Sequence, residues 1–108
     1  MDRRSIASVI AEDLFDAEGA VDVALAKAAG LMRRLVAARR QLGLPIGTGE
    51  PVLRRATATV EALGVAQREI ARLHGELDGL RLSLGLPDLG FGPLVKPPAA
   101  RSDAFAVD

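Results

Sequence analysis

Apolar residues recur at seven-residue steps through most of this chain, and few folds can use such a repeat. Leu14, Val21, Ala28, Leu35 and Leu42 form one column, and Ala17, Ala24, Leu31 and Ala38 form the column beside it. Two neighbouring columns at this spacing make a seam along one side of a helix. Gly43 follows the last seam residue, with Leu44 and Pro45 after it, which is the order of a left-handed C-terminal cap, its hydrophobic contact and a proline stop. The first long helix is therefore expected to end near Leu42. A loop from Gly43 to Gly49 leads to Glu50 and Pro51. Proline is tolerated there because first-turn amides have no helical acceptor, and Thr48 or Gly49 can cap the new helix. In the second helix Ala56, Leu63, Ile70, Leu77 and Leu84 make one column and Thr59, Ala66, Leu73 and Leu80 its neighbour, before Gly85, Leu86 and Pro87 close it. At about 1.5 Å per residue each helix spans on the order of 40 to 50 Å, and so short a loop makes the two antiparallel neighbours. The expected fold is all-α, an antiparallel helical hairpin.

The two helices echo each other. Leu42-Gly43-Leu44-Pro45 returns as Leu84-Gly85-Leu86-Pro87, and the same offset of 42 pairs Ala24 with Ala66, Leu31 with Leu73, Leu35 with Leu77 and Arg39 with Arg81. Duplication of one helix gives this pattern, and so do two independent seams ended by a common cap. Towards the N-terminus, Ser5 is a candidate cap for a segment carrying Ile6, Val9, Ile10 and Leu14. That segment either stands as a short helix broken near Gly19 or runs into the first long helix, and the phase of the seam favours continuity. After Leu86 the prolines and glycines crowd together, so residues 1–86 are expected to form the hairpin domain and 87–108 an extended or disordered tail. Leu89, Phe91, Leu94 and Val95 in that tail are expected to fold back on the bundle or to serve as a partner's ligand.

The first helix is apolar over about half its circumference, more than one partner helix covers. A second copy is the expected remedy, giving a homodimeric four-helix bundle, with cover by the N-terminal segment and tail in a monomer as the rival. The residues expected at the interface are Val21, Leu25, Ala28, Met32, Leu35 and Leu42 on the first helix, and Leu63, Ile70, Leu73, Leu77 and Leu84 on the second.

Composition removes many chemistries. The chain has no cysteine and a single histidine, His74, so disulfides, thiol nucleophiles, iron–sulfur clusters and Cys- or His-built metal sites are not expected, and no cofactor is expected either. Its only aromatics are Phe15, Phe91 and Phe105, too few for the stacking platforms that bind single-stranded nucleic acid. No stretch approaches the roughly 20 apolar residues of a membrane span, and Glu12, Asp13 and Asp16 interrupt any signal-peptide core after Arg3 and Arg4, so a cytoplasmic protein is expected. Arginine outnumbers lysine heavily, with only Lys27 and Lys96, and alanine, glycine and leucine abound, which matches the codon bias of a GC-rich bacterial genome.

Charge is segregated although the 14 basic and 14 acidic residues cancel. Residues 1–22 carry a net −4, residues 23–60 a net +6 and residues 61–108 a net −2. In an antiparallel hairpin the loop end is then basic, with Arg33, Arg34, Arg39, Arg40, Arg54 and Arg55 forming a tip. Three roles compete for it: a solvated tip, complementarity to the acidic end of a second copy, and a phosphate-binding surface for nucleic acid or nucleotide. No groove-reading motif accompanies the arginines, so nucleic acid is not favoured.

His74 is expected at the edge of the seam. Phosphotransfer domains carry an exposed histidine on a helix of a four-helix bundle, but Leu73-His74-Gly75-Glu76-Leu77-Asp78-Gly79 lacks the lysine and small-residue context such domains place after it. Gly43-Leu44-Pro45-Ile46 after an arginine-rich helix, followed by Val52-Leu53, resembles the all-helical chorismate mutases, and the resemblance would imply an entwined dimer binding a dicarboxylate with arginines and a lysine. The chain departs from that pattern. Glu50-Pro51 stands where an Arg-Glu pair is expected, Arg39 where a lysine is expected, and no glutamine falls near the end of a third helix. With the phosphate-loop, HExxH and GxSxG patterns also absent, the expected function is non-catalytic: a small bacterial interaction or adaptor protein acting through its seam, arginine tip and tail.

Overall fold

The computed structural model describes residues 2–86. They form two helices that pack against each other, α1 (Arg3–Gln41) and α2 (Glu50–Ser83), joined by the loop 42–49, and no strand occurs among the described residues. The sequence expected a possible separate N-terminal helix. The structure has one unbroken helix from Arg3, because Gly19 sits in open space with helical dihedrals and its lack of a side chain weakens the helix without ending it. The cap also differs from expectation: Asp2, not Ser5, closes the first turn, its Oδ1 accepting the Ser5 N–H at 2.7 Å. These bonds to Ser5 are the chief reason the Asp2 carboxyl is held below its ordinary pKa.

Both helix ends use the same device. Gly43 (φ 67°) lets the Leu44 N–H reach the Arg39 carbonyl at 3.1 Å while its own N–H reaches Arg40, and Gly85 (φ 68°) repeats the pair with Leu86 to Arg81 and its own bond to Leu82. Each is a Schellman cap, which satisfies carbonyls the helix leaves open and requires a left-handed residue. The arginine four residues before each glycine then turns back over the cap. Arg39 donates to the Ile46 carbonyl at 3.1 Å, and Arg81 donates to that of Leu86 at 3.0 Å while pairing with Asp78. Gly49 (φ 74°) precedes α2 and its carbonyl accepts the first α-helical bond, from Leu53.

The chain divides into two compact units, Met1–Phe15 with Ala71–Asp108, and Asp16–Ile70. In the first, the enclosed side chains are Ala7, Ala11, Leu14 and His74, and the Phe15 ring meets the His74 ring edge-on with centroids 6.2 Å apart. In the second, Val21, Leu25, Ala28, Met32 and Leu35 of α1 and Leu53, Ala56, Val60, Leu63 and Ile70 of α2 are half-buried. There Gln67 donates to Asp22 at 2.8 Å and the Thr57 hydroxyl lies 3.5 Å from the Met32 sulfur. The residue numbers of these two cross-helix pairs add to the same total, as they must when the helices run antiparallel in one register.

One of the two expected seam columns is therefore correct and the other is not. The column through Val21, Ala28 and Leu35 faces α2, and the one through Ala56, Leu63 and Ile70 faces α1. Their buried or half-buried neighbours are Leu25, Met32 and Arg39 on α1, and Leu53, Val60, His74 and Arg81 on α2, with Gln67 of the same column exposed at its edge. Of the expected neighbours, Ala24 and Ala66 are half-buried, but Ala17, Leu31, Ala38, Thr59, Leu73 and Leu80 are exposed on the opposite flank, and Thr59 turns its hydroxyl to the Arg55 carbonyl. The inward column carries polar residues, so a count of apolar side chains selects the wrong flank.

Candidate interaction surfaces

Among the residues expected at an interface, Val21, Leu25, Ala28, Met32, Leu35, Leu63, Ile70 and Leu77 are half-buried within the chain, whereas Leu42, Leu73 and Leu84 are exposed. Of the apolar surface left over, Ile10, Leu31, Val52, Leu73 and Leu80 lie on the outer flank, while Val9, Val23, Val65 and Leu82 are exposed elsewhere on the helices. When two helices run antiparallel, the residues flanking the seam on one side of the first helix lie beside those flanking it on the same side of the second, because reversing the chain exchanges left and right twice.

Each unit bears this out. In the unit of the chain ends, Ile10 and Leu80 from the two outer columns line one open apolar groove of about 190 Å³ together with Ile6, Leu77 and Leu84. Arg3 lies at its end and donates to the Leu84 carbonyl at 3.3 Å. In the Asp16–Ile70 unit the outer flank presents Ala17, Ala24, Leu31 and Ala38 from α1 with Val52, Thr59 and Ala66 from α2, and Leu31 is 57% exposed. The other flank of that unit is an open groove of about 500 Å³ over Ala29, Met32, Val36, Leu53 and Thr57, edged by Arg33 and Arg40.

The arginine tip is not uniform. Arg39 is committed to the loop carbonyl of Ile46, and Arg54 holds Glu50 in a two-point ion pair with its closest N–O distance at 2.6 Å. The guanidinium groups of Arg33, Arg34, Arg40 and Arg55 are exposed and make no hydrogen bond or ion pair among the described residues. Arg39 thus serves the loop, a role its position four residues before Gly43 signals and its charge alone does not.

His74 lies deeper than expected, at 4% exposure, packed on Phe15 and occupying an inward position of α2. Gln67, His74 and Arg81 recur at seven-residue steps, so the polar inward column is itself a pattern in the sequence. No group of three or more acidic or histidine side chains among the described residues is placed to hold a metal ion, and no described helix is long and apolar enough to cross a membrane. The expected tail, with Leu89, Phe91, Leu94 and Val95, lies outside the described residues. No known family model, curated protein or solved structure matches this chain.

Proposed function

We propose that this chain is a non-catalytic protein–protein interaction module of the bacterial cytoplasm that works as a homodimer, two hairpins forming a four-helix bundle. The observation that carries the reading is the outward apolar column. A two-helix layer has one inward face, and here that face is already used, yet Leu31 and Val52 stand exposed beside Ala17, Ala24, Ala38 and Ala66. Apolar columns of this kind on a small chain mark an association surface, and pairing by a two-fold axis is the simplest way to cover one.

Light scattering tests the proposal directly: a mass of about twice the 11.3 kDa of the chain is expected, and a mass of one chain across the accessible concentration range overturns it. Two substitutions separate the inward and outward surfaces. Leu31→Asp is expected to lower the mass to that of one chain with helix content kept, because its site is open within the hairpin. Leu35→Asp places a charge in the half-buried seam and is expected to unfold the hairpin, at a cost of several kcal/mol.

A second reading rests on the unpartnered Arg33, Arg34, Arg40 and Arg55, which would suit an anionic polymer. Such binding falls steeply with salt by counterion release, so a titration with duplex DNA at two salt concentrations decides it. Absence of binding at moderate salt removes this reading.

A further inference from the structure

We infer that the open apolar groove in the unit of the chain ends is the seat of this chain's own residues 87–95, with Phe91 as the side chain that fills it. Those residues lie outside the described ones. The inference is independent of the dimer reading, whose surface is the Leu31 column of the other unit. Four side chains of the groove, Ile6, Ile10, Leu80 and Leu84, are 41–53% exposed, and nothing among the described residues covers them. Removing such surface from water is favourable, so the groove accepts an apolar side chain.

The size of the groove narrows the occupant. At about 190 Å³ it is smaller than the roughly 300–1,000 Å³ of small-molecule and cofactor sites, and it suits one or two large side chains. Leu89 and Phe91 are the first apolar residues beyond Leu86, and the described chain delivers them to the groove. Leu86 is half-buried and forms part of the groove wall. Both of its backbone polar groups are held by Arg81: its N–H donates to the Arg81 carbonyl at 3.0 Å, and its carbonyl accepts from the Arg81 guanidinium at 3.0 Å. The exit of the chain is thereby fixed at the groove, and Pro87 restricts Leu86 to an extended backbone.

Reach and tethering then favour the chain's own segment over any other occupant. From Leu84 to Leu77 the α2 wall is about 10 Å long, at about 1.5 Å per residue. Phe91 is five residues beyond Leu86 and can stand up to roughly 17 Å from it, at about 3.3–3.6 Å per residue, so it reaches every level of that wall. So short a tether holds Phe91 at an effective concentration in about the millimolar range, which a second copy or a separate partner has to match from solution. Asp88 brings a carboxylate to the end of the groove where Arg3 stands, and this pairing of opposite charges favours the same seating.

The test uses the full chain, which contains no tryptophan or tyrosine, so Phe91→Trp introduces a single emitter at the residue in question. Its emission is expected at shorter wavelength than that of free tryptophan, unchanged on dilution, with weak quenching by acrylamide. Adding Ile10→Glu sets a charge in the groove and is expected to return the emission to that of free tryptophan and to raise the quenching several-fold. Ile10 is 41% exposed and glutamate is the better helix former, so helix content by circular dichroism is kept. A short-wavelength emission that Ile10→Glu leaves unchanged places residue 91 elsewhere and overturns the inference. One that is lost on dilution assigns the groove to a second copy's tail and overturns it too. A reciprocal pair keeps the native Phe91 and does not depend on how the larger indole fits. Leu80→Trp is expected to shift to longer wavelength when Phe91→Ser is added, and an emission that this second change leaves alone overturns the inference.

Discussion

Alanine in place of glycine should change the stability of this hairpin in opposite directions at different positions. Gly19, Gly30 and Gly79 lie inside helices, and a Cβ at any of them meets nothing within 4 Å. Alanine there removes backbone freedom from the unfolded chain at no steric cost, a gain of about 0.8–1 kcal/mol per site in a helix interior. The sites share no neighbours, so the triple variant should gain about 2.5 kcal/mol, or roughly 10–20 °C in Tm for a domain of this size. Gly43 and Gly85 also face open space, but their φ values of 67° and 68° belong to the left-handed region. Alanine at either should cost about 1–2 kcal/mol, entirely from the backbone. Urea and thermal melts followed by circular dichroism, at one fixed protein concentration so that association does not shift the midpoint, measure both sets. A destabilised Gly79→Ala, or a Gly85→Ala that melts like the parent, would refute the separation of conformational from steric cost on which these signs depend.

Three further outcomes follow from the packing. Leu14 is 4% exposed and anchors the unit of the chain ends, so Leu14→Ala should lower urea-unfolding stability by about 2–4 kcal/mol, and an effect below about 1 would place it outside the core. Arg81 is 13% exposed and holds both Asp78 and the cap carbonyl of Leu86, so Arg81→Ala should cost about 1–3 kcal/mol; Arg54→Ala breaks an exposed pair with Glu50 and should cost at most about 0.5. The Asp2 carboxyl is held below its ordinary value of 3.8, so its contribution is fully present above that pH and disappears as pH falls through its lower folded value. Asp2→Ala should therefore be less stable than the parent at neutral pH and indistinguishable from it in strong acid, and equal melts at pH 7 would show that the cap contributes nothing.

The helices, their caps and their antiparallel course were legible because each has a local cause. The seven-residue columns depend on the helical repeat alone, and Leu-Gly-Leu-Pro describes a cap whose geometry only glycine accommodates freely. What the sequence obscured was which flank of the main column turns inward. The correct flank includes Gln67, His74 and Arg81, whose polar ends are accommodated by partners such as Asp22 and the Leu86 carbonyl that a single helix does not reveal. Hydrophobicity alone then favours Leu31, Leu73 and Leu80, which are exposed in the hairpin. The arginine tip was visible as charge, but its division into Arg39, tied to the loop, and Arg33, Arg34, Arg40 and Arg55 at the surface depends on where the loop carbonyls fall. Asp2 was missed as a cap because Ser5 stands nearer the apolar run.

The shared phase of α1 and α2, with an identical stop at each end, makes the helices near-interchangeable as partners. An α1 could pair with the α2 of a neighbouring molecule through the same columns that it uses within its own chain. What keeps the pairing at home is the reversal at residues 42–49, bounded by left-handed Gly43 and Gly49. Extending that segment would carry α2 away from its own α1 and turn a self-contained hairpin into an exchanged one, at the loss of the loop contacts that Arg39 and the turn amides make. The two left-handed glycines, with Pro45 between them, thus hold the chain in the tight reversal on which pairing within one molecule depends.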